Sequence, residues 1–382
     1  MTRPAARTPI TGRDVVWWTS TSFTALGLFT FPRDMIASAG FGWPFALALQ
    51  LGVAAFSAWL ILRQQERFRG MTPIEAAMRT MGRAGQAFEM IMAGIMLVTL
   101  TYAYASFGSL FHETTLQLTP QWAITGAMAL FVWYASSTGI RAVTRMLQIM
   151  TPLMVALGVS IFSFAIWGVR PTFLMPHWTG LGSIVAGAYR GIFVLAGLQN
   201  LFIYSAYSDQ WPIGRHVMLA LLLNAGVLLL VLVTTLGNFG LDALTWITWP
   251  GAFLAKSIEV RGFYVERIGF LVILAWVGWV ALFLVNTTLT AAMATAQIFG
   301  KSAEDFRRVV PLLTLAPYAL SLVIPDQNTT EWVAKAIIAP GTLVMLILKP
   351  LLLLLAAKLR GIGRQGVPPG VSPPVKLIPK QD

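Results

Sequence analysis

About ten apolar stretches, each long enough to cross a lipid bilayer, follow one another along these 382 residues with only short connectors between them. Such a chain has few ways to fold. Inside hydrocarbon every backbone N–H and C=O must find a partner within the protein, which leaves helix bundles and closed barrels. The stretches are continuous rather than alternating, which is the pattern of helices and not of barrel strands. The sequence therefore reads as all-α, a polytopic membrane protein of ten transmembrane helices. Charge agrees: only 11% of residues are charged, against about 25% in an ordinary soluble domain.

The predicted spans run over about 14–38, 43–62, 86–110, 121–139, 146–168, 183–207, 215–239, 265–299, 308–324 and 331–358, here spans 1 to 10. A short amphipathic helix over Thr72 to Gly82 is expected between spans 2 and 3, because Thr72-Pro73-Ile74-Glu75 carries a cap residue and a first-turn proline. Residues 1–360 read as one membrane domain, with repeats over about 14–168 and 183–358, and 361–382 as a basic, disordered cytoplasmic tail. The basic start, with Arg3, Arg7 and Arg13, leads into a run without a small-residue cleavage site, so span 1 reads as a retained helix and not a leader.

The formal net charge of +12 is not a nucleic-acid signature. With the N-terminus inside, 19 of the Lys and Arg residues fall on inner segments and 6 on outer ones, which is the bias of a bacterial membrane protein with both ends cytoplasmic. The remaining two, Arg190 and Lys349, fall within spans and are read as snorkelling to the interface. Glu89 falls near the start of span 3, and the deep parts of the spans hold almost no ionisable groups, so proton coupling finds little support. There is no cysteine, hence no thiol chemistry or disulfide. His112, His177 and His216 lack metal-ligand spacing. No phosphate loop, nucleophile elbow or carboxylate pair is present, so neither an enzyme nor a cofactor is indicated. The long outer connector, Gly240 to Glu266, carries Trp246 and Trp249, expected at the membrane–water boundary.

Two spans invite a break. Span 1 reads Leu26-Gly27-Leu28-Phe29-Thr30-Phe31-Pro32, with a glycine and a proline five residues apart. Span 6 reads Gly197-Leu198-Gln199-Asn200, again a mid-span glycine, now followed by amides. The two lie five spans apart. An odd number of spans per half inverts the second half relative to the first, and paired interruptions in inverted repeats point to a midplane site. Freed N–H groups can hold a carboxylate and freed carbonyls an ammonium. The candidate ligand contacts are Leu26, Gly27, Leu28 and Phe29 in span 1 and Gly197, Leu198 and Gln199 in span 6. Tyr102 in span 3 and Thr287 and Thr288 in span 8 are candidate side-chain contacts.

Four stretches together resemble the B-subunit permeases of bacterial spore germinant receptors, the GerAB-like branch of the amino acid–polyamine–organocation superfamily. They are Gly27-Leu28-Phe29-Thr30-Phe31-Pro32-Arg33 with Ala39-Gly40 and Trp43; Gly139-Ile140-Arg141-Ala142-Val143-Thr144-Arg145 with Ile149 and Pro152; the Gly197 break; and Trp249-Pro250 with Val265-Glu266-Arg267-Ile268-Gly269-Phe270 and Trp276. The resemblance implies two inverted five-helix repeats with helices 1 and 6 unwound at mid-membrane. It also implies a small germinant such as an amino acid, a place in the spore inner membrane, and partnership with a larger A subunit and a lipoprotein C subunit. Gln199 stands where relatives often carry an acid, and span 5 from Met146 to Trp167 lacks the basic residue used by transporting members of the superfamily. The first departure speaks against a charge-based ligand contact or proton role at that position, and the second favours a germinant sensor over the alternative, a secondary amino acid transporter; a scaffold with a vestigial pocket is a third reading.

Overall fold

The computed structural model describes residues 10–24, 27–69, 71–208, 211–258, 269–324 and 326–362. The candidate contact Leu26, the motif residues Val265 to Ile268 and the basic tail from residue 363 onward lie outside them.

The described chain is helical. Span 1 is two helices, α1 (Gly12–Thr24) and α2 (Phe31–Ala39). After a one-turn 3-10 segment come α3 (Trp43–Arg67), the short α4 (Pro73–Met81), α5 (Arg83–Thr114), α6 (Gln121–Ser137) and α7 (Ile140–Phe164). Span 6 is α8 (Leu181–Arg190), a nine-residue 3-10 helix (Ile192–Asn200) and α9 (Leu201–Ser205). Then follow α10 (Gly214–Trp246), α11 (Pro250–Ser257), α12 (Gly269–Ile298) and α13 (Phe306–Val323). Span 10 is α14 (Gln327–Val333), α15 (Ala339–Leu343) and α16 (Lys349–Leu359), joined by π-helical turns at Ala334–Ile338 and Val344–Leu348.

Seven of the described helical runs are long and apolar enough to cross a membrane, eight with the pair bent by 48° at Gly191. Ten crossings follow if the 17-residue α6 is added and if Phe31–Arg67 is divided at Gly40, whose φ of 52° and ψ of −133° are not helical. The breaks have local causes. Pro32 in the first turn of α2 suits a helix start. α4 starts where the sequence predicts a helix start, and Thr72 caps it in a reciprocal capping box with Glu75. Gly240, at φ 76° and ψ 171°, kinks α10.

One extended core ties both halves of the chain, with Trp18, Phe31, Tyr104, Tyr204 and Phe283 fully buried. Large apolar side chains on α6 and α7 face outward, as Trp122, Tyr134 and Ile149 do, which is the arrangement for a lipid solvent. One end of the bundle, here the amino-terminal face, gathers the start of α1 and the ends of α3 and α16. Ile10 N–H donates to Tyr207 O, the Arg67 guanidinium to Ile362 O, and Arg360 to Thr80 O of α4.

Candidate ligand-binding site

The span 1 break is a tight turn. Gly27 has φ +77°, a conformation that L side chains rarely adopt. Its carbonyl accepts from Thr30 N at 3.0 Å and Phe31 N at 2.8 Å, so the turn hands over directly to α2. Where a side chain on Gly27 would begin, the Phe193 ring stands: an ideal Cβ would lie 2.0 Å from its Cε2. Phe193 sits in the 3-10 stretch of span 6 and packs edge-on against Tyr102 of α5, with centroids 6.2 Å apart. Three of the elements predicted to share a site thus meet at one aromatic side chain that the sequence did not single out.

Span 6 bends at Gly191, six residues before the predicted Gly197, and continues as a 3-10 helix through it. Gly197 plays another part. A Cβ there would lie 1.9 Å from Ser22 O and 2.6 Å from Phe283, so this glycine lets span 6 press against α1. Side chains of α3 bond carbonyls on either side of the 3-10 stretch: Gln50 Nε2 donates to Gly191 O at 2.8 Å and Gln65 Nε2 to Phe202 O at 2.7 Å. Both glutamines are buried. A glutamine pointing into an apolar span has to find a carbonyl, and that was the available sequence signal.

A continuous polar network lies where α1, span 6 and α12 touch. Asn286 Nδ2 donates to Ser22 Oγ at 2.7 Å, Asn200 Nδ2 to Thr287 Oγ1 at 2.9 Å, and Thr290 Oγ1 to Asn200 Oδ1 at 2.9 Å. Asn286 Oδ1 is buried there without a protein partner, and Ser20 Oγ of α1 and Thr288 Oγ1 of α12 are also buried and unmet. Such orphans are few in native proteins and mark places where polar contacts remain to be made. Asn200 and Asn286, rather than Gln199, supply the amides at this junction.

The other predicted contacts separate. Leu28 and Phe29 line an apolar cavity with Met154, Phe162 and Trp276, and Phe29 stacks on Trp276 at 5.1 Å. Leu198 is fully buried. Gln199 lines a different cavity with Glu89 and Lys349. There Lys349 does not snorkel: its Nζ is 2.8 Å from Glu89 Oε2 and its side chain is 5% exposed.

The face opposite the amino-terminal one is bridged by ion pairs and covered by α11. Arg33 of α2 reaches Glu331 of α14 at 2.7 Å and Asp34 at 3.0 Å, and Lys335 holds Glu331 at 3.1 Å. Gly251, at the start of α11, donates its N–H to Phe29 O at 3.1 Å, so α11 sits on the span 1 turn. Trp246 is 87% exposed, as a boundary residue should be, whereas Trp249 is 7% exposed and donates to Glu113 at 2.9 Å. Among the described residues no three of His, Asp and Glu gather as metal ligands. The arrangement offers hydrogen bonds and apolar walls.

The chain matches the family described as spore germination protein over residues 13–330. It is 20% identical over 291 residues to the spore germination protein YndE of Bacillus subtilis (strain 168), covering 72% of this chain and 77% of that one. Among solved structures it is similar to MhsT in complex with L-phenylalanine, with a TM-score of 0.62, 13% identity, and coverage of 90% of this chain and 97% of that one. It is also similar to a Na+-coupled sialic acid symporter in a substrate-bound outward-open state, with a TM-score of 0.57, 13% identity and coverage of 88% and 77%. A manganese transporter of Eremococcus coleocola gives a TM-score of 0.54 at 12% identity, with coverage of 93% and 80%. At these identities the structural likeness speaks for the fold, an all-helical transporter architecture.

Proposed function

The chain belongs to the spore germination protein family, and from that premise we propose that it is the germinant-sensing subunit of a spore germination receptor. Its ligand is a small nutrient, an amino acid, held at the centres of spans 1 and 6. The observation that carries this reading is the position of Phe193, wedged between the Gly27 turn and Tyr102. In this closed arrangement an aromatic ring fills the space a ligand side chain would take. A ligand that displaces it gains the turn of span 1 and the polar junction of Ser22, Asn200, Asn286 and Thr287. That differential contact is what can shift the bundle between two states.

The size of the wedge supports an amino acid, and so does the fold shared with MhsT, which was solved with L-phenylalanine. The resemblance to B subunits supplies the rest of the reading. It comprises ten crossings in two inverted repeats, the spore inner membrane, and assembly with an A subunit and a lipoprotein C subunit, to which hydropathy and charge add one membrane domain through about residue 360, a basic tail and both ends in the cytoplasm. The test is germination of spores carrying Gly27→Leu, with membrane abundance of the protein measured alongside. Undiminished response at normal abundance would remove the site. The alternative, secondary amino acid transport, is separated by uptake into proteoliposomes: concentrative uptake by the purified chain alone would favour it.

A further inference from the structure

We propose a second ligand site in the half of the bundle nearer the amino-terminal face, where the Glu89–Lys349 pair parts to take the ammonium and carboxylate of an amino acid and Gln199 donates to the carboxylate. The proposal rests on the amino-acid reading above for the class of ligand, and it concerns a separate place.

Glu89 lies in the second turn of α5, Lys349 at the start of α16, and Gln199 at the end of the 3-10 stretch of span 6. They line one cavity, floored by Ile74 of α4. All three side chains are buried, yet only one bond joins them, Lys349 Nζ to Glu89 Oε2 at 2.8 Å. Glu89 Oε1 and Gln199 Nε2 have no protein partner. The cavity thus carries a free acceptor on the acid and a free amide donor, beside an ammonium. A buried ion pair by itself adds little stability, because two desolvated charges offset their attraction. Two unmet polar atoms add a further cost.

A zwitterion resolves this. Placed between the parted side chains, its ammonium faces both oxygens of Glu89. Its carboxylate faces Lys349 and the Gln199 amide. The charges then alternate through four groups, and every orphan is met by a charge-assisted bond. Phe202 backs the Lys349 ammonium, with 4.8 Å from Nζ to the ring centre, and holds it in place after the pair opens. The remaining wall includes Met92, Met96 and Met345, unbranched side chains that adapt their shape. The site therefore reads the backbone common to amino acids and tolerates differing side chains. The π turn at Val344–Leu348, immediately before Lys349, belongs to a class of irregular turn found often at functional sites.

The experiment is equilibrium dialysis of radiolabelled L-alanine against the full chain in lipid nanodiscs. Propionate and ethylamine, with one charge each, serve as competitors. Saturable binding that neither competitor displaces is expected. Measured in a Gly27→Leu background, where the span 1 site is blocked, its affinity should fall about tenfold or more in the double variant E89Q/K349M, which removes both charges together. The reversed pair E89K/K349E should bind, because the zwitterion can turn around. In that background, unaltered binding in E89Q/K349M overturns the proposal, as does a reversed pair that folds and does not bind. Absence of L-alanine binding by the wild-type chain also overturns it, since the shared zwitterion is what this site would recognise. Gly27→Leu in parallel separates the two sites. Binding lost there but kept in E89Q/K349M sinks the inner site and leaves the span 1 site standing; the reverse pattern does the opposite.

Discussion

The edge of the Phe193 ring occupies the position where a side chain on Gly27 would begin, with 2.0 Å between its Cε2 and an ideal Cβ. Glycine at this point is required twice, by the left-handed backbone and by the ring. Gly27→Ala carries a backbone cost of roughly 1–2 kcal/mol, and it must also push Phe193 aside. Phe193→Ala, by contrast, leaves the turn intact and removes the wedge. The expected outcome is a germination response lost in Gly27→Ala and Gly27→Leu. In Phe193→Ala the response should be retained but moved to bulkier ligands, read as the dose–response of spores to a set of amino acids.

Gly197 presses span 6 against Ser22 O, where a Cβ would come within 1.9 Å of backbone. Gly197→Ala should lower stability by about 1–3 kcal/mol, the usual cost of overpacking. Gly94→Ala, with nothing within 4 Å of the new methyl, is the matched control. It should match wild type or exceed it by up to about 1 kcal/mol, the helix-propensity gain of alanine over glycine. Thermal unfolding in detergent compares them, and equal melting of the two variants would remove this packing role from Gly197.

Arg33 and Glu331 join α2 to α14 across the face away from the amino-terminal end. The natural chain has no cysteine, so a single introduced thiol reports cleanly. In a Tyr102→Cys background, Glu331→Gln should speed labelling by a membrane-impermeant maleimide, because the closure above the span 1 turn is weakened. Identical labelling rates with and without Glu331→Gln would show that this ion pair does not close the site.

Breaking the Glu89–Lys349 pair on one side strands a buried charge. Lys349→Met alone should cost about 3–5 kcal/mol, and E89Q/K349M much less. Denaturation of purified protein measures both. A double variant as unstable as the single one would mean that packing at Lys349, not its charge, is what the fold needs.

Much of the architecture was legible in the sequence because the lipid solvent dictates it. Long apolar runs must be helices, and a glycine and proline five residues apart in span 1 mark a break that the structure places between Thr24 and Phe31. The helix start at Thr72 was readable from four letters. Span 6 was read less well. Gly197 drew attention as the break, yet the bend is at Gly191, because a glycine can serve either a turn or a close approach and the sequence alone does not say which. For Lys349 the sequence suggests snorkelling, since a lysine in a span usually reaches for water. Its partner, Glu89, is 260 residues away and invisible to any local pattern. Phe193 was missed for a similar reason: among 23 phenylalanines nothing in its surroundings distinguishes it until the fold sets it against Gly27.

Span 10 contains two π turns, Ala334–Ile338 and Val344–Leu348, with Lys335 inside the first and Lys349 just beyond the second. Each widened loop stores a surplus residue, and moving one residue along a helix swings a side chain by about 100°. On the sensing role proposed above, the helix that bears both ion pairs is expected to yield between them, so that loosening the Glu331 end leaves the Lys349 end in place.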